Sequence, residues 1–424
     1  MEPLKRASAH VDSRREFLKL AAGLGLSFVL PGLESRAAGR RGRERTKSMI
    51  RVWLEGGPSQ LETWDPHPDS PIGGPTRAIK TTIAGVEIAE HFPRLAEQMH
   101  HLSVIRSLVS KEGDHARGVY FVRTGYRPDP TITHPSLGSI VTRELPSPGL
   151  EIPRFISLGY NERPSRGGFL GGRFDALHLS DPDQAMAKLA GRGPDERQKR
   201  RLESLDVLAR SFARGREAAV EATLHRESLN AALKMMTSEQ LKAFDVSAEP
   251  QVVRDAFGDS QFGRACLIAR RLVEQGVRVI EIALQNFDTH ENNFAKNREL
   301  AGVLDPGFAA LVADLAERDL LDSTALLCLG EFGRTPKINA KDGRDHWPAA
   351  FSCLMGGGGL TPGVLIGATD PTGERKEPDN PIQLPALYAT ILRTLGIDPA
   401  HPSATPIGRP IKYSDGTVIP ELLA

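Results

Sequence analysis

Short, mostly apolar runs recur along the chain, and each is followed within a few residues by glycine, acidic residues or histidine. The clearest runs are 49–54, 279–284 and 325–329. Apolar runs of this length are typical of strands that are buried on both faces of a parallel sheet. Segments with helical periodicity at 262–275 and 299–319 precede the second and third runs. The order strand, helix, strand predicts an α/β fold with right-handed crossovers.

Acidic and histidine side chains follow the second and third runs. Asp288 and His290 come after the second, and Glu331, Asp345 and His346 come after the third. In open α/β sheets, ligands bind outside the carboxyl ends of the strands. Residues two apart in an extended segment point to the same side, so the Asp-x-His pair presents a carboxylate and an imidazole to one point. Such ligands without thiolate suit zinc, manganese or iron in a catalytic site.

The alternative for each strand end is a capped turn with solvated charges. One such cluster fits that alternative as well as it fits a site. Two acid-and-histidine clusters, each just past a strand, favour a metal site.

Glycines after the first run, in the segment 55–59, allow the backbone to turn tightly and approach a ligand. Ser59 is a candidate nucleophile, and Glu62 and Asp65 are candidates for a third set of metal ligands. A solvated turn explains these residues equally well, because acids and glycines are common in loops.

A further acid and histidine pair, Asp114 and His115, precedes a predicted helix that carries Arg117 and Arg123. A helix N-terminus offers unpaired N–H groups to an anion, and arginines strengthen that attraction. Capping of the helix by Asp114 is the alternative, and the two roles are compatible.

Composition describes an ordinary globular protein, with 54 basic and 53 acidic residues and a net charge of +1. This balance gives no broad attraction for a phosphate backbone, so we expect no nucleic-acid partner. The three cysteines, Cys266, Cys328 and Cys353, lie in apolar or helical contexts and are expected to be buried free thiols.

The N-terminus resembles a twin-arginine signal, because Arg14 and Arg15 precede a short apolar stretch, 20–30, and small residues at Ala37 and Ala38. The stretch is too short to be a stable transmembrane anchor. We therefore expect export to the periplasm or cell envelope, with the twin-arginine translocase as a partner. A cytoplasmic amphipathic helix is the alternative.

The domain organisation follows from these patterns. Residues 1–48 are predicted to be signal and basic linker, and residues 49–424 one domain with a helical insertion at about 195–245. The segment 150–194 is rich in glycine and proline and is predicted to have irregular structure.

With these residues in view, the chain resembles the family of domain of unknown function 1501. The segments that carry the resemblance are 56–66, 114–115, 270–274, 287–290, 330–336 and 343–348. They span about 49–399, nearly the whole predicted domain. That family is similar to the alkaline phosphatase and sulfatase superfamily. The resemblance implies an alkaline phosphatase-like sandwich, with a large, mostly parallel sheet flanked by helices and with divalent metals at the strand ends.

The resemblance also implies a function, although the chain departs from the superfamily pattern. His115 stands where the nucleophile is expected, Glu55 replaces the first metal-binding Asp, and Glu331-Phe332 replaces an Asp-His pair. We expect an exported, metal-dependent hydrolase acting on phosphate or sulfate esters of a small molecule or glycan. The alternative is a non-catalytic envelope or surface binding protein that retains the fold. The predicted catalytic residues are Ser59, His115 and Arg117, and the predicted ligands of zinc, manganese, magnesium or calcium are Asp288, His290, Glu331, Asp345, His346 and Asp65.

Overall fold

The computed structural model describes residues 47–185 and 225–423, together with a few isolated positions between these ranges. The signal-like segment up to residue 46 and most of the predicted helical insertion lie outside the described residues. The last part of that insertion is described, and it contains a helix, His225–Met236.

One large sheet organises the described chain, and three two-stranded ribbons surround it. The strands in chain order are β1 (Ser48–Leu54), β2 (Ala78–Lys80), β3 (Glu87–Ala89), β4 (Leu102–Val109), β5 (Phe155–Leu158), β6 (Leu177–Leu179), β7 (Val279–Leu284), β8 (Thr324–Leu329), β9 (Gly333–Arg334), β10 (His346–Trp347), β11 (Phe351–Gly357), β12 (Leu365–Ile366), β13 (Ile382–Gln383), β14 (Pro402–Ala404) and β15 (Pro410–Lys412).

The sheet order is β12-β4-β11-β8-β1-β7-β5-β6, and β13 also pairs with β4. Strand β1 lies between β7 and β8 and is parallel to both. Strand β11 is antiparallel to both of its neighbours, and the other pairings in the sheet are parallel. The predicted large, mostly parallel sheet is therefore confirmed.

Helices cover both faces of the sheet. They are α1 (Pro93–Gln98), α2 (His115–Thr124), α3 (Leu137–Glu144), α4 (His225–Met236), α5 (Gln251–Phe257), α6 (Gln261–Glu274), α7 (Asn293–Glu317) and α8 (Leu384–Thr394). Side chains of α1, α5, α6 and α7 contribute to one core, and side chains of α2, α3 and α8 contribute to the other.

Strand β1 is buried on both faces, and its one charged residue, Arg51, is paired with Glu281 of β7. Ile50 and Val52 belong to the core on one face, and Met49 and Trp53 belong to the core on the other. Successive side chains of a strand point to opposite faces, so a strand covered on both sides has no position left for solvent. Each fully buried side chain of this size contributes about 1.5–3 kcal/mol through removal from water.

Two parts of the fold differ from the prediction. Helix α7 begins at Asn293, six residues before the predicted start, because polar residues of its first turns lie against the loops that follow β7 and precede β10. The segment predicted to be irregular contributes β5 and β6 to the sheet. Among the described residues, no helix is both long and apolar enough to cross a membrane.

Candidate metal centre

Loops from separate strands bring the predicted site residues to one edge of the sheet. His115 begins α2 after β4, Asp288 and His290 follow β7, Glu331 follows β8, and His346 lies in β10. The carboxyl ends of parallel strands share an edge, so residues far apart in sequence meet there.

Two histidines converge on the Asp288 carboxylate. His115 Nε2 lies 3.4 Å from Asp288 Oδ2, and His346 Nε2 lies 3.3 Å from Asp288 Oδ1. One ligand atom from each of these three residues lies within 4.8 Å of the others. The prediction treated His115 as a nucleophile or base, whereas its position also makes it a candidate ligand.

His290 completes the group. Its Nε2 lies 3.0 Å from His346 Nε2 and 3.2 Å from Asp288 Oδ1. We call His115, Asp288, His290 and His346 the candidate centre.

In each histidine of the candidate centre, Nδ1 forms a hydrogen bond with an acceptor outside the centre. The acceptors are Glu331 Oε1 at 2.8 Å for His115, Asp345 Oδ1 at 2.7 Å for His290 and the Gly113 carbonyl at 2.7 Å for His346. Because a carbonyl oxygen only accepts, Nδ1 of His346 carries a proton, and Nε2 offers a lone pair to a cation whenever the ring is neutral. Metal-ligating histidines are held in this way, by a carboxylate or a carbonyl on the second ring nitrogen.

Glu331 and Asp345 were predicted as ligands, and here each forms a hydrogen bond with Nδ1 of a histidine of the candidate centre. Glu331 is buried and also accepts from the Gly56 N–H, at 3.0 Å and 3.2 Å to its two oxygens. Asp345 accepts from His290 and is more exposed. Their contacts orient His115 and His290.

Arg334 was not predicted as a site residue, and it holds the same Asp288 oxygen, Oδ1, that His290 and His346 face. Its guanidinium is buried and donates to Asp288 Oδ1 at 2.5 Å, to the Gly57 carbonyl at 2.8 Å and to the Gly56 carbonyl. The glycine turn after β1 therefore supplies backbone hydrogen-bond partners to Arg334 and Glu331. Gly56 has a φ of +113°, a conformation that strains any residue with a Cβ.

The electrostatics follow from these contacts. Hydrogen bonds to Asp288 and Glu331 raise the pKa of His115 to about 9, despite partial burial. Burial acts to raise the pKa of Asp288, but donors on His115, His346 and Arg334 outweigh it and hold that pKa far below its usual range. The carboxylate of Asp288 is therefore ionised.

The candidate centre suits a divalent cation. It presents three imidazole nitrogens and one carboxylate, and the other nitrogen of each ring is already engaged. Two Nε2 atoms and a carboxylate oxygen lie within 3.3 Å of one another at His290, His346 and Asp288. Nitrogen and oxygen donors of this kind suit zinc or manganese.

The other predicted residues lie elsewhere. Ser59 is fully buried, and its hydroxyl has no hydrogen-bond partner among the described residues. The Asp65 carboxylate is also buried and contacts Thr369, at 2.6 Å, and Arg106, at 3.3 Å, rather than the candidate centre. Glu62 forms a buried ion pair with Arg344 at 2.9 Å, so the solvated-turn interpretation is wrong for Glu62 and Asp65.

Helix α2 carries the remaining predictions. Asp114 caps it by accepting from the Arg117 N–H at 3.1 Å, as the capping interpretation required. The side chain of Arg117 is 62% exposed and pairs with Glu112 at 3.2 Å. Glu55, named as a departure from the superfamily pattern, accepts from the Glu162 N–H at 3.2 Å, and burial raises its pKa.

The fold and site together define an α/β protein with a histidine and aspartate cluster at the carboxyl edge of its sheet. The family model described as "Protein of unknown function (DUF1501)" matches residues 46–423, and the chain belongs to that family. A search of the curated proteins finds no match.

Solved structures similar to this chain share little sequence with it. Ps i-CgsB in complex with k-i-k-neocarrahexaose is 10% identical, with a TM-score of 0.42 over 88% of this chain and 75% of that one. The lipoteichoic acid synthase LtaP from Listeria monocytogenes is 12% identical, with a TM-score of 0.39 over 89% and 76%. The PsFucS1 sulfatase from Pseudoalteromonas sp. is 14% identical, with a TM-score of 0.39 over 90% and 73%.

Proposed function

We propose that the protein is an exported, metal-dependent hydrolase of phosphate or sulfate esters. The observation that carries the proposal is the convergence of three histidine Nε2 atoms on the Asp288 carboxylate at the carboxyl edge of the sheet. Ester hydrolysis is the reaction that the family resemblance implies for such a centre. The candidate centre supports it by offering the nitrogen and oxygen donors that this chemistry requires.

His115, Asp288, His290 and His346 would hold the cation. When bound there, it would supply a Lewis acid that polarises an ester oxygen and lowers the pKa of water. Glu331 and Asp345 orient two of the rings, and Arg334 keeps Asp288 in place and ionised.

Two arginines that pair with Glu112, close in sequence to His115, support an anionic substrate. Arg117 and Arg127 both pair with the single carboxylate of Glu112, at 3.2 Å and 2.5 Å, so one positive charge of the group is not balanced by it. Glu112 directly precedes Gly113, whose carbonyl holds His346. Arginine donors match the oxygens of phosphate and sulfate groups in geometry and charge. Arg117 is therefore proposed to bind the ester anion.

The state of Ser59 supports attack by water rather than by this side chain. Its hydroxyl is fully buried, and none of its hydrogen-bonding capacity is directed at a base. His115 has both ring nitrogens next to carboxylates, which supports the role of a ligand, with displacement of a proton from Nε2, over that of a free base. The same facts favour a second candidate, a binding protein that keeps the centre without turnover.

The test measures hydrolysis of aryl phosphates and aryl sulfates by the purified mature protein with magnesium, manganese, zinc, iron or calcium. Asp288→Asn should abolish turnover because the central carboxylate is lost. Ser59→Ala should leave most of it, since a residue that does not attack contributes only packing. Asp259→Asn, an exposed carboxylate on a different loop, is the matched control.

Loss of activity in Ser59→Ala by several orders of magnitude would mean that serine is the nucleophile. Absence of turnover with every ester and metal, in a protein that still binds a cation, would favour the binding protein.

A further inference from the structure

A cavity opens at the carboxyl edge of the sheet, where the candidate centre also lies, on the β5 side of β7. Its volume is about 320 Å³, near the lower end of the range for small-molecule pockets. The lining residues that matter are Tyr160, Gln261, Phe262, Gln285, Asn286 and Glu299. We call it the amide cavity.

The amide cavity and the candidate centre share a loop. Gln285 and Asn286 line the cavity, and Asp288 follows two residues later in the same β7–α7 connection. The lining also includes Tyr160, two residues before Glu162, whose N–H donates to Glu55 just after β1. A molecule with one group at the candidate centre therefore has the amide cavity beside it.

The cavity lining combines an apolar base with a polar, uncharged rim. Phe262 and Leu300 are buried and form part of the base. Gln261 and Asn286 are exposed amides at the rim, and the Tyr160 side chain is 53% exposed. Of the described residues that line it, Glu299 alone is charged.

We propose that the amide cavity binds a neutral sugar ring, which would be the alcohol part of the ester. Amide groups both donate and accept hydrogen bonds, as hydroxyl groups do, so they suit a ring that carries several hydroxyls. An exposed tyrosine offers a flat apolar face to the C–H side of such a ring. This inference rests on the proposed function, because it names the substrate class of the same site.

The lining argues against other occupants. A second phosphate or sulfate group would meet the Glu299 carboxylate with no lining cation to offset the repulsion. A purely aliphatic chain would offer no hydrogen-bond partner to the amides of Gln285 and Asn286. A cationic amine is the remaining competitor, since it would be attracted by Glu299 and by the tyrosine ring.

The experiment separates sugar binding from catalysis. The mature protein is screened against an array of neutral, unsulfated oligosaccharides, and the dissociation constant of the best binder is then measured by calorimetry. Tyr160→Ala should weaken binding about tenfold, because the stacking face is lost. Tyr160→Phe should keep most of the affinity, and Gln285→Ala should weaken it. Val252→Ala, an exposed apolar residue on α5 that does not line the cavity, should have no effect.

His346→Ala distinguishes failure of this inference from failure of the proposed function. It should lose metal and turnover while still binding the sugar. The inference is overturned if no neutral oligosaccharide binds the wild-type protein, if Tyr160→Ala and Gln285→Ala both bind unchanged, or if the protein prefers amino sugars over their neutral counterparts.

Discussion

The hydrogen-bond acceptors at Nδ1 of His115, His290 and His346 orient each ring so that its Nε2 faces Asp288. Each acceptor is fixed by a different segment: Glu331 by the turn after β8, Asp345 by the loop between β9 and β10, and Gly113 by the loop before α2. Replacement of an acceptor therefore changes ring orientation without removing a ligand. Such positioning residues are expected to lower metal affinity by roughly 10–100-fold rather than to abolish it.

His134 is a histidine outside the centre whose state depends on pH. It is buried, its Nδ1 faces the Tyr120 hydroxyl at 2.9 Å, and its ring stacks on Tyr126 with centroids 4.6 Å apart. Burial lowers its pKa below the ordinary value of 6.5, so the unfolded chain takes up the proton first. The stability that depends on neutral His134 is present above about pH 6.5 and is lost as pH falls below it.

We therefore expect the free energy of unfolding of the wild type to fall between about pH 7 and pH 5 more steeply than that of His134→Gln. Urea titrations at several pH values measure both slopes. His67, His91 and His101 also have lowered pKa values, so the difference between the two proteins is the informative quantity. Parallel slopes would show that His134 does not contribute.

Residue types after strand ends were enough to predict most of the candidate centre, because the edge of a parallel sheet gathers them. They did not predict Arg334, since its role in the site depends on contacts with Gly56 and Asp288, two residues that are distant from it in sequence. The same reasoning placed Asp65 among the ligands. Its carboxylate instead meets Thr369 and Arg106, partners that no local pattern indicates.

Helix α1 depends on a cap that another helix supplies. The buried carboxylate of Asp305, in the middle of α7, accepts from the Leu95 N–H at 2.8 Å and from the Arg94 N–H at 3.1 Å. These N–H groups belong to the first turn of α1 and have no partner within their own helix. The contact joins two helices of one layer, and burial raises the pKa of Asp305.

Asp305→Ala should destabilise the protein by roughly 1–3 kcal/mol, because buried N–H groups lose their acceptor. Asp305→Asn should cost less, since one side-chain oxygen remains. Urea unfolding measures both changes, and Glu97→Ala, an exposed position on α1, is the control. Equal stability of Asp305→Ala and the wild type would mean that water replaces the cap.

The elements that sequence predicted best are the mostly apolar strands β1, β7 and β8, whose two-sided burial leaves a recognisable pattern. Strands β5 and β6 were missed because each is short and lies among glycines and prolines. Pairing with β7 holds β5 in place, a constraint from the sheet and not from the segment itself. The start of α7 was placed too late for a similar reason, since its first turns carry polar residues held by neighbouring loops.

A bound cation would tie together parts of the molecule that are far apart in the chain. Chelation should therefore lower the melting temperature of the mature protein, and added zinc or manganese should restore it. The stabilisation is about 2.7 kcal/mol when the free metal is at 100 times its dissociation constant. His346→Ala should melt at the same temperature with and without chelator. A wild-type protein that is insensitive to chelation would contradict the metal proposal.

Export is the other prediction that concerns the whole protein. Changing Arg14→Lys together with Arg15→Lys should keep the precursor in the cytoplasm, because the paired arginines are the feature that resembles a twin-arginine signal. Cell fractionation and immunoblotting of precursor and processed forms measure this. Normal processing of the double variant would rule out that route.

Because β1 lies in the middle of the sheet, its pairing depends on strands that are synthesised much later. β1 is made first, yet Met49 pairs with Val279 and Ser48 pairs with Thr324. At about 5–20 residues per second, β8 leaves the ribosome roughly 15–60 s after β1. Strand β7 is made only shortly before β8, so for most of that interval β1 has neither of its neighbours, and chaperone protection is expected to be needed. A translocation route that accepts finished, folded protein suits a chain whose central strand is paired late.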